Sequence, residues 1–165
     1  MERRLLMMKN NVCKRALPVL LAVCMVLSLM VACKKQQPGI QCSVEIDCGY
    51  IWNHEEDLLE SKVEFVPQDG MILAETEVTV EQGDTAFDLL EAICDEQDIH
   101  LDAEDGSWGK YIKGVGQIYN GDCGEMSGWM FKVNGEYADV GSEVYELAEG
   151  DLISWIFICD YETDQ

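Results

Sequence analysis

The segment Leu152 to Cys159 constrains the fold more than any other part of the chain. It is apolar almost throughout and rich in β-branched and aromatic residues, among them Ile153, Trp155, Ile156, Phe157 and Ile158. A strand that is apolar on both faces belongs inside a sheet, covered on at least one side. The last strand is therefore expected at the centre, and the rest of the chain must supply its neighbours and its cover.

The cover is legible near the middle of the sequence. Gly83-Asp84-Thr85 breaks a strand, and Thr85 with Asp88 three residues on has the form of a capping box. Ala86, Leu89, Leu90, Ile93 and Cys94 then fall on one stripe of a helix. On that stripe Cys94 reads as buried filler rather than a reactive thiol. The neighbours are strands. Ser43 to Cys48 alternates, with Val44, Ile46 and Cys48 on one face, and Glu75 to Glu81 alternates with Val78 and Val80 inward. Residues 49–72 read as a long loop with a turn at Pro67-Gln68-Asp69-Gly70. After a Gly- and Asp-rich stretch, Lys110 to Tyr119 reads as a strand interrupted by Gly114 and Gly116. Trp129, Phe131 and Val133 lead into Asn134-Gly135, the strongest short signal for a hairpin, because both turn residues need positive φ. Glu149-Gly150-Asp151 marks a further turn.

The order strand, loop, strand, helix, strand, hairpin, strand predicts an α+β domain: a β-grasp-like mixed sheet with one packed helix. With the first and last strands as neighbours, Cys48 and Cys159 are the candidate disulfide pair. Cys42, Cys48, Cys94, Cys123 and Cys159 are five, so at least one thiol is left over or pairs between molecules. No CxxC pair occurs, which argues against a zinc ribbon or a thioredoxin-type redox site.

The N-terminus reads as a targeting segment. Arg3, Arg4, Lys9, Lys14 and Arg15 precede an apolar run from Ala16 to Ala32. Its end, Leu29-Met30-Val31-Ala32-Cys33, resembles the lipobox of bacterial lipoproteins, with Met30 where Leu is more usual. That resemblance implies a signal peptide over 1–32, diacylation of Cys33, a tether over 33–42 and a domain over 43–160. The expected location is outside the cytoplasm of a Gram-positive bacterium, anchored to the membrane by lipid. Two acyl chains hold where one gives only marginal binding. The run is also near the lower limit for a membrane span, so an uncleaved anchor is the alternative, with a buried core helix behind it.

Without residues 1–32 the chain keeps six lysines against 31 acidic residues, a formal charge of −25. Nucleic acid is excluded as a partner, since binding it requires neutralising phosphates, and lying flat on an anionic bilayer is disfavoured. The charge suits solubility at a crowded surface. Calcium is the sharper reading, but Asp102-Ala103-Glu104-Asp105-Gly106 lacks the alternating carboxylates of an EF-hand loop, and no metal is expected.

Catalytic motifs are missing. His54 and His100 stand in no nucleophile motif and read as surface residues. Gly124-Glu125-Met126-Ser127-Gly128 has one residue too many for a nucleophile elbow. Gly114-Val115-Gly116 lacks the third glycine of a dinucleotide fingerprint. The chain is expected not to be an enzyme and to require no cofactor. What stands out is an aromatic concentration from Tyr111 to Trp155, including Tyr119, Trp129, Phe131, Tyr137 and Tyr145, of which several must be core.

A set of motifs resembles the transcobalamin-like C-terminal domain family of exported Gram-positive proteins. It runs from Glu81-Gln82-Gly83-Asp84-Thr85 and Asp88-Leu89-Leu90 through Tyr111-Ile112-Lys113-Gly114-Val115. It continues in Asp122-Cys123-Gly124-Glu125-Met126-Ser127-Gly128-Trp129-Met130-Phe131 and Val133-Asn134-Gly135, and closes in Gly150-Asp151-Leu152-Ile153-Ser154-Trp155. The resemblance implies a soluble-ligand-binding β-grasp-type fold. In vertebrate members the domain closes over one face of cobalamin beneath a helical domain, which this chain lacks. Carried over, it implies a ligand surface at Trp129, Phe131, Asn134, Gly135 and Tyr137, with Trp129 nearest the ligand. Ser142 stands where many bacterial relatives carry a cysteine, which leaves Cys123 without that partner.

Two functions follow from these readings. One is a surface module that captures a small ligand, a corrinoid by the resemblance, for a membrane transporter. The other is a protein-interaction or adhesion module with no small-molecule site. An exposed Trp129 beside a concave surface favours the first, and a Trp129 buried under the helix favours the second.

Overall fold

The computed structural model describes residues 39–107 and 109–164. The expected signal peptide, Cys33 and residues 33–38 of the tether lie outside them. Among the described residues no helix is long and apolar enough to cross a membrane.

In chain order the elements are β1 (Ile40–Asp47), three 3-10 turns (Gly49–Asn53, Glu55–Asp57 and Glu60–Phe65), β2 (Met71–Val80) and α1 (Ala86–Glu96). There follow β3 (Leu101–Gly106), β4 (Gly109–Val115), β5 (Ile118–Tyr119), β6 (Gly128–Val133), β7 (Glu136–Tyr137) and β8 (Leu152–Ile158). Five strands form one sheet in the order β2-β1-β8-β6-β7, and β3-β4-β5 form a second. The α+β, β-grasp-like expectation holds.

β8 is central, parallel to β1 and antiparallel to β6. Its position follows from its composition: Ile153, Trp155 and Phe157 face one side, Ile156 and Ile158 the other, and all five are buried. The first side aligns with Val44 and Ile46 of β1 and with Trp129 and Phe131 of β6. Ala86, Phe87, Leu89, Leu90, Ile93 and Cys94 of α1 join them in one core cluster. The capping box is present: Asp88 N donates to Thr85 Oγ1 at 3.2 Å, and Thr85 N to Asp88 Oδ2 at 2.8 Å.

Four boundaries differ from expectation. β2 begins at Met71 rather than Glu75, so the loop expected over 49–72 ends two residues sooner. β1 begins at Ile40 rather than Ser43, because Ile40 and Cys42 pair with Val80 and Val78, so the tether stops short of residue 42. The stretch read as one strand over Lys110 to Tyr119 is a hairpin. It turns at Gly116 and Gln117, both at positive φ, with Val115 opposite Ile118. Gly114 is required there because a Cβ would stand 2.5 Å from the Tyr119 ring. β3 was hidden by its acids. Its half-buried residues Leu101 and Ala103 pack on the core, while Glu104 and Asp105 are exposed.

The long segment between β1 and β2 is pinned rather than loose. Ile51 and Val66 are buried in the core. Lys62 Nζ donates to the Gln117 carbonyl at 2.8 Å, pairs with the buried Asp122 at 3.1 Å and sits 4.4 Å above the Tyr119 ring.

Candidate functional site

The five residues to which the resemblance assigns a ligand lie together on the β6–β7 hairpin, but all except Gly135 make contacts within the fold. Trp129 is 9% exposed. Its Nε1 donates to the Ile118 carbonyl at 2.9 Å, and its ring meets Phe157 edge-on at 5.3 Å. The indole thus has its apolar body in the core and its one donor satisfied. Phe131, its neighbour on the same face, stacks on Trp155 at 5.2 Å.

Asn134 takes φ 52° at the turn, and both the nitrogen and the oxygen of its amide are hydrogen-bonded. Nδ2 donates to Asp151 Oδ1 and Oδ1 accepts from Leu152 N, both at 2.9 Å. Gly135 is exposed at the tip, with open space around it. Tyr137 donates its hydroxyl to the Asp164 carbonyl at 3.0 Å, and Lys132 Nζ lies 4.3 Å over its ring. Trp129 and Phe131 face the core, whereas Tyr137 is opposite Lys132 on the other face. A single ligand therefore cannot touch all five, and Trp129 is withdrawn from any surface. The burial of Trp129 favours the protein-interaction or adhesion reading over a ligand site at this hairpin.

Asp151 ties the hairpin tip to the turn before β8. Burial alone would raise its carboxyl; the Ala148 amide, the Asn134 amide and the Tyr145 hydroxyl outweigh it and hold the group below the usual carboxylate range. The same contacts act on Tyr145, whose phenol is pushed up to about 12 by burial and then by Asp151.

The expected Cys48–Cys159 pair is not found: the five described cysteines are free and buried. β1 and β8 are neighbours, but their register sets Asp47 opposite Ile156. Cys48 is then level with Phe157, and Cys159 lies two residues, roughly 6–7 Å, further along. Cys48 instead donates its thiol to the Gly70 carbonyl at 3.2 Å. Burial pushes the Cys48 and Cys94 thiols up to about 12, so neither is a nucleophile at neutral pH. Burial pushes the Cys123 and Cys159 thiols up as well.

His54 was expected at the surface and is half-buried. Its Nε2 meets Asp164 Oδ1 at 2.9 Å, and Asp164 is 2% exposed. That hydrogen bond raises the imidazole pKa. His100 is exposed, with its ring 2.7 Å from the Tyr119 hydroxyl.

The free surface lies elsewhere. An open cleft of about 340 Å³ is lined by Glu104, Gly106, Ser107, Gly109, Lys110 and Tyr111, along β3 and β4. Tyr111 is 53% exposed and contributes an aromatic face. A smaller one of about 230 Å³ lies where Gln41, Cys42 and Ser43 meet Glu77 and Gly150. Tyr111 was legible as one of the concentrated aromatics. Its outward position follows from the alternation with buried Ile112. Among the described residues no group of three or more His, Cys, Asp or Glu is arranged to hold a metal.

Residues 83–158 match a domain family of unknown function, DUF4430. A solved structure of haptocorrin in complex with Cbi shares the fold at TM-score 0.56 and 17% identity, over 76% of this chain and 26% of that one. The fold is transcobalamin-like. This chain thus spans about a quarter of the haptocorrin chain. A protein from Ruminococcus gnavus, provisionally described as metal-binding, gives TM-score 0.46 at 15% identity, over 74% of this chain and 99% of that one. No curated protein matches the chain in sequence.

Proposed function

We propose that this domain is a ligand-capture module, held outside the cell by a lipid on Cys33, that binds a small soluble ligand and passes it to a membrane transporter. A corrinoid is the first ligand to test. The observation carrying this reading is the fold shared with a haptocorrin chain that was solved with Cbi bound. Because fold alone does not specify function, the site must be argued from the surface. The β3–β4 cleft offers the exposed Tyr111 ring and the Lys110 ammonium beside backbone groups. Its volume is at the low end of the roughly 300–1,000 Å³ of ligand pockets. That suits covering one face of a flat macrocycle and leaves the rest to another body. The role proposed is binding, without catalysis.

The second reading, a protein-interaction module, is favoured by the burial of Trp129 and by exposed apolar side chains. Leu59, Val63 and Phe65 are 51%, 49% and 39% exposed along one 3-10 segment, and Met126 is 83% exposed. Equilibrium titration of the full chain with cobalamin and with cobinamide decides between the two. Saturable binding at micromolar strength or tighter supports capture. No binding to folded protein removes the corrinoid and leaves the interaction surface as the better account.

A further inference from the structure

We propose that the open edge of β2 docks an extended segment of a basic partner protein, which adds a strand to the main sheet. That sheet ends in β7, two residues long, on one side and in the ten-residue β2 on the other. A two-residue edge offers little to pair with, whereas a long edge is a template for another strand. Among the described residues β2 pairs with β1 alone.

The register shows which main-chain groups are free. Ser43 N donates to the Asp151 carbonyl at 2.8 Å, and Gly150 N donates to the Gln41 carbonyl at 2.7 Å. Gln41 and Ser43 therefore direct their main chain toward β8, and Ile40, Cys42 and Val44 direct theirs toward β2. Their partners on β2 are Val80, Val78 and Thr76. Main-chain direction alternates along a strand, so Glu77 and Thr79 turn their N–H and C=O groups outward, away from β1. Side chains alternate too: Val78 and Val80 pack against the core, while Glu77 and Thr79 are exposed. Between the Val44/Thr76 and Ile46/Leu73 pairs the register shifts, leaving Ala74 and Glu75 against Glu45. The bulge bends the strand there, and the regular template is residues 76–80.

Charge selects the occupant. β1 and β2 carry Glu45, Asp47, Glu75 and Glu77 and no basic residue. The described lysines are engaged on other elements: Lys62 with Asp122, Lys110 with Asp105, Lys113 with Asp102 and Glu104, and Lys132 over Tyr137. A second copy would bring its own Glu75 and Glu77 to the edge, and like charges on neighbouring strands repel. A strand alternating apolar and basic residues fits instead. Its apolar side chains extend the face of Val78 and Val80, and its lysines or arginines meet Glu77 and Glu75. Gln41, Ser43 and Glu77 line the smaller cleft of about 230 Å³, where one long basic side chain has room. Main-chain bonds give such a complex its affinity, and the alternating side chains give its specificity.

Strand docking at β2 is independent of what the β3–β4 cleft holds, and is tested without a small ligand. The full chain, labelled with nitrogen-15, is titrated with a blocked peptide of alternating valine and lysine. Saturable amide shifts and slowed hydrogen exchange are expected, centred on Glu77 and Thr79 and weakened by salt. A peptide of alternating valine and glutamate should not bind, nor should the valine–lysine peptide N-methylated at every amide. Glu77→Lys should weaken binding roughly fivefold. Thr79→Pro removes an outward donor at an edge position that tolerates proline, and should weaken binding roughly tenfold. Equal binding of either control peptide, shifts centred away from β2, or no saturation would overturn the proposal. Shifts of these amides with protein concentration alone would place a second copy on the edge and overturn it as well.

Discussion

Two hairpins in this domain have opposite fates. The β6–β7 hairpin carries Trp129 and Phe131, lies in the main sheet beside β8 and has its tip locked by Asn134 to Asp151. The β3–β4 hairpin carries Asp102, Glu104 and Asp105 and pairs only with itself and β5. Its charges are matched locally: Lys113 lies 3.4 Å from both Asp102 and Glu104, and Lys110 lies 2.6 Å from Asp105. The aromatic hairpin spends its side chains on the core, and the polar one presents a cleft with Tyr111 beside it. Among the concentrated aromatics Trp129, Phe131 and Trp155 pack in the core, and the exposed exception, Tyr111, borders the Gly- and Asp-rich stretch.

The largest effect expected from this contrast is at Trp129. Trp129→Ala removes a buried indole together with its contact to Phe157, and should cost about 3–5 kcal/mol. Against the roughly 5–15 kcal/mol of a typical domain, urea unfolding should show a severely weakened or unfolded protein. A Trp129→Ala protein of unchanged stability that fails to bind ligand would break the contrast, since the indole would then be acting as a contact.

Much of this arrangement could be read from residues alone. β8 announced its central place because both of its faces are apolar. The capping box at Thr85 and the turn at Asn134-Gly135 are local chemistry, independent of what surrounds them. The signals that failed depend on long-range context. β3 has too few apolar residues to show alternation, and only pairing with β4 makes Asp102 to Gly106 a strand. The Cys48–Cys159 expectation identified the right neighbouring strands and missed the register, which no single strand encodes. The side chain of Asn134 is a polar group at a turn in any reading of the sequence. Only the fold brings Asp151 to it and turns a candidate ligand contact into a latch.

That latch gives the next effect. Asn134→Ala removes both amide bonds and places an alanine at positive φ. Leu152 N loses its acceptor and Asp151 one of its donors. A loss of about 2 kcal/mol is expected, measured by denaturant titration. Asn134→Gly should recover part of it by relieving the backbone. Full stability in Asn134→Ala would show that the tip is not locked and would return it to the list of free surfaces.

A pH dependence tests the C-terminal anchor. The pKa of His54 is raised in the fold by Asp164, so its contribution is fully present below the unfolded value, about 6.5. It is lost as pH rises through the folded value. Asp164 has the opposite sign. Burial opposes its ionisation, but the Asp160 and Cys159 amides and His54 outweigh this and lower its pKa. Its contribution is present above about 3.9 and is lost as pH falls through the folded value. Thermal melts should show stability declining from pH 6.5 towards 8 in wild type and flat over that range in His54→Gln. Equal slopes in the two proteins would mean that the pair does not couple to folding.

The smallest effect on stability belongs to Tyr111, and it sharpens the contrast most. Tyr111 is exposed and sits beside Ile112, which is 5% exposed and supplies the packing of that part of β4. Truncating an exposed ring should change stability by no more than about 0.5 kcal/mol. If the β3–β4 cleft holds a flat ligand, the same truncation removes the stacking face. Binding should then weaken at least tenfold, about 1.4 kcal/mol. Stability and affinity thus separate at Tyr111 and fall together at Trp129. A corrinoid that binds Tyr111→Ala as tightly as wild type would place recognition away from this hairpin. The remaining described candidates would then be the smaller cleft between β1 and β2 and the apolar row from Leu59 to Phe65.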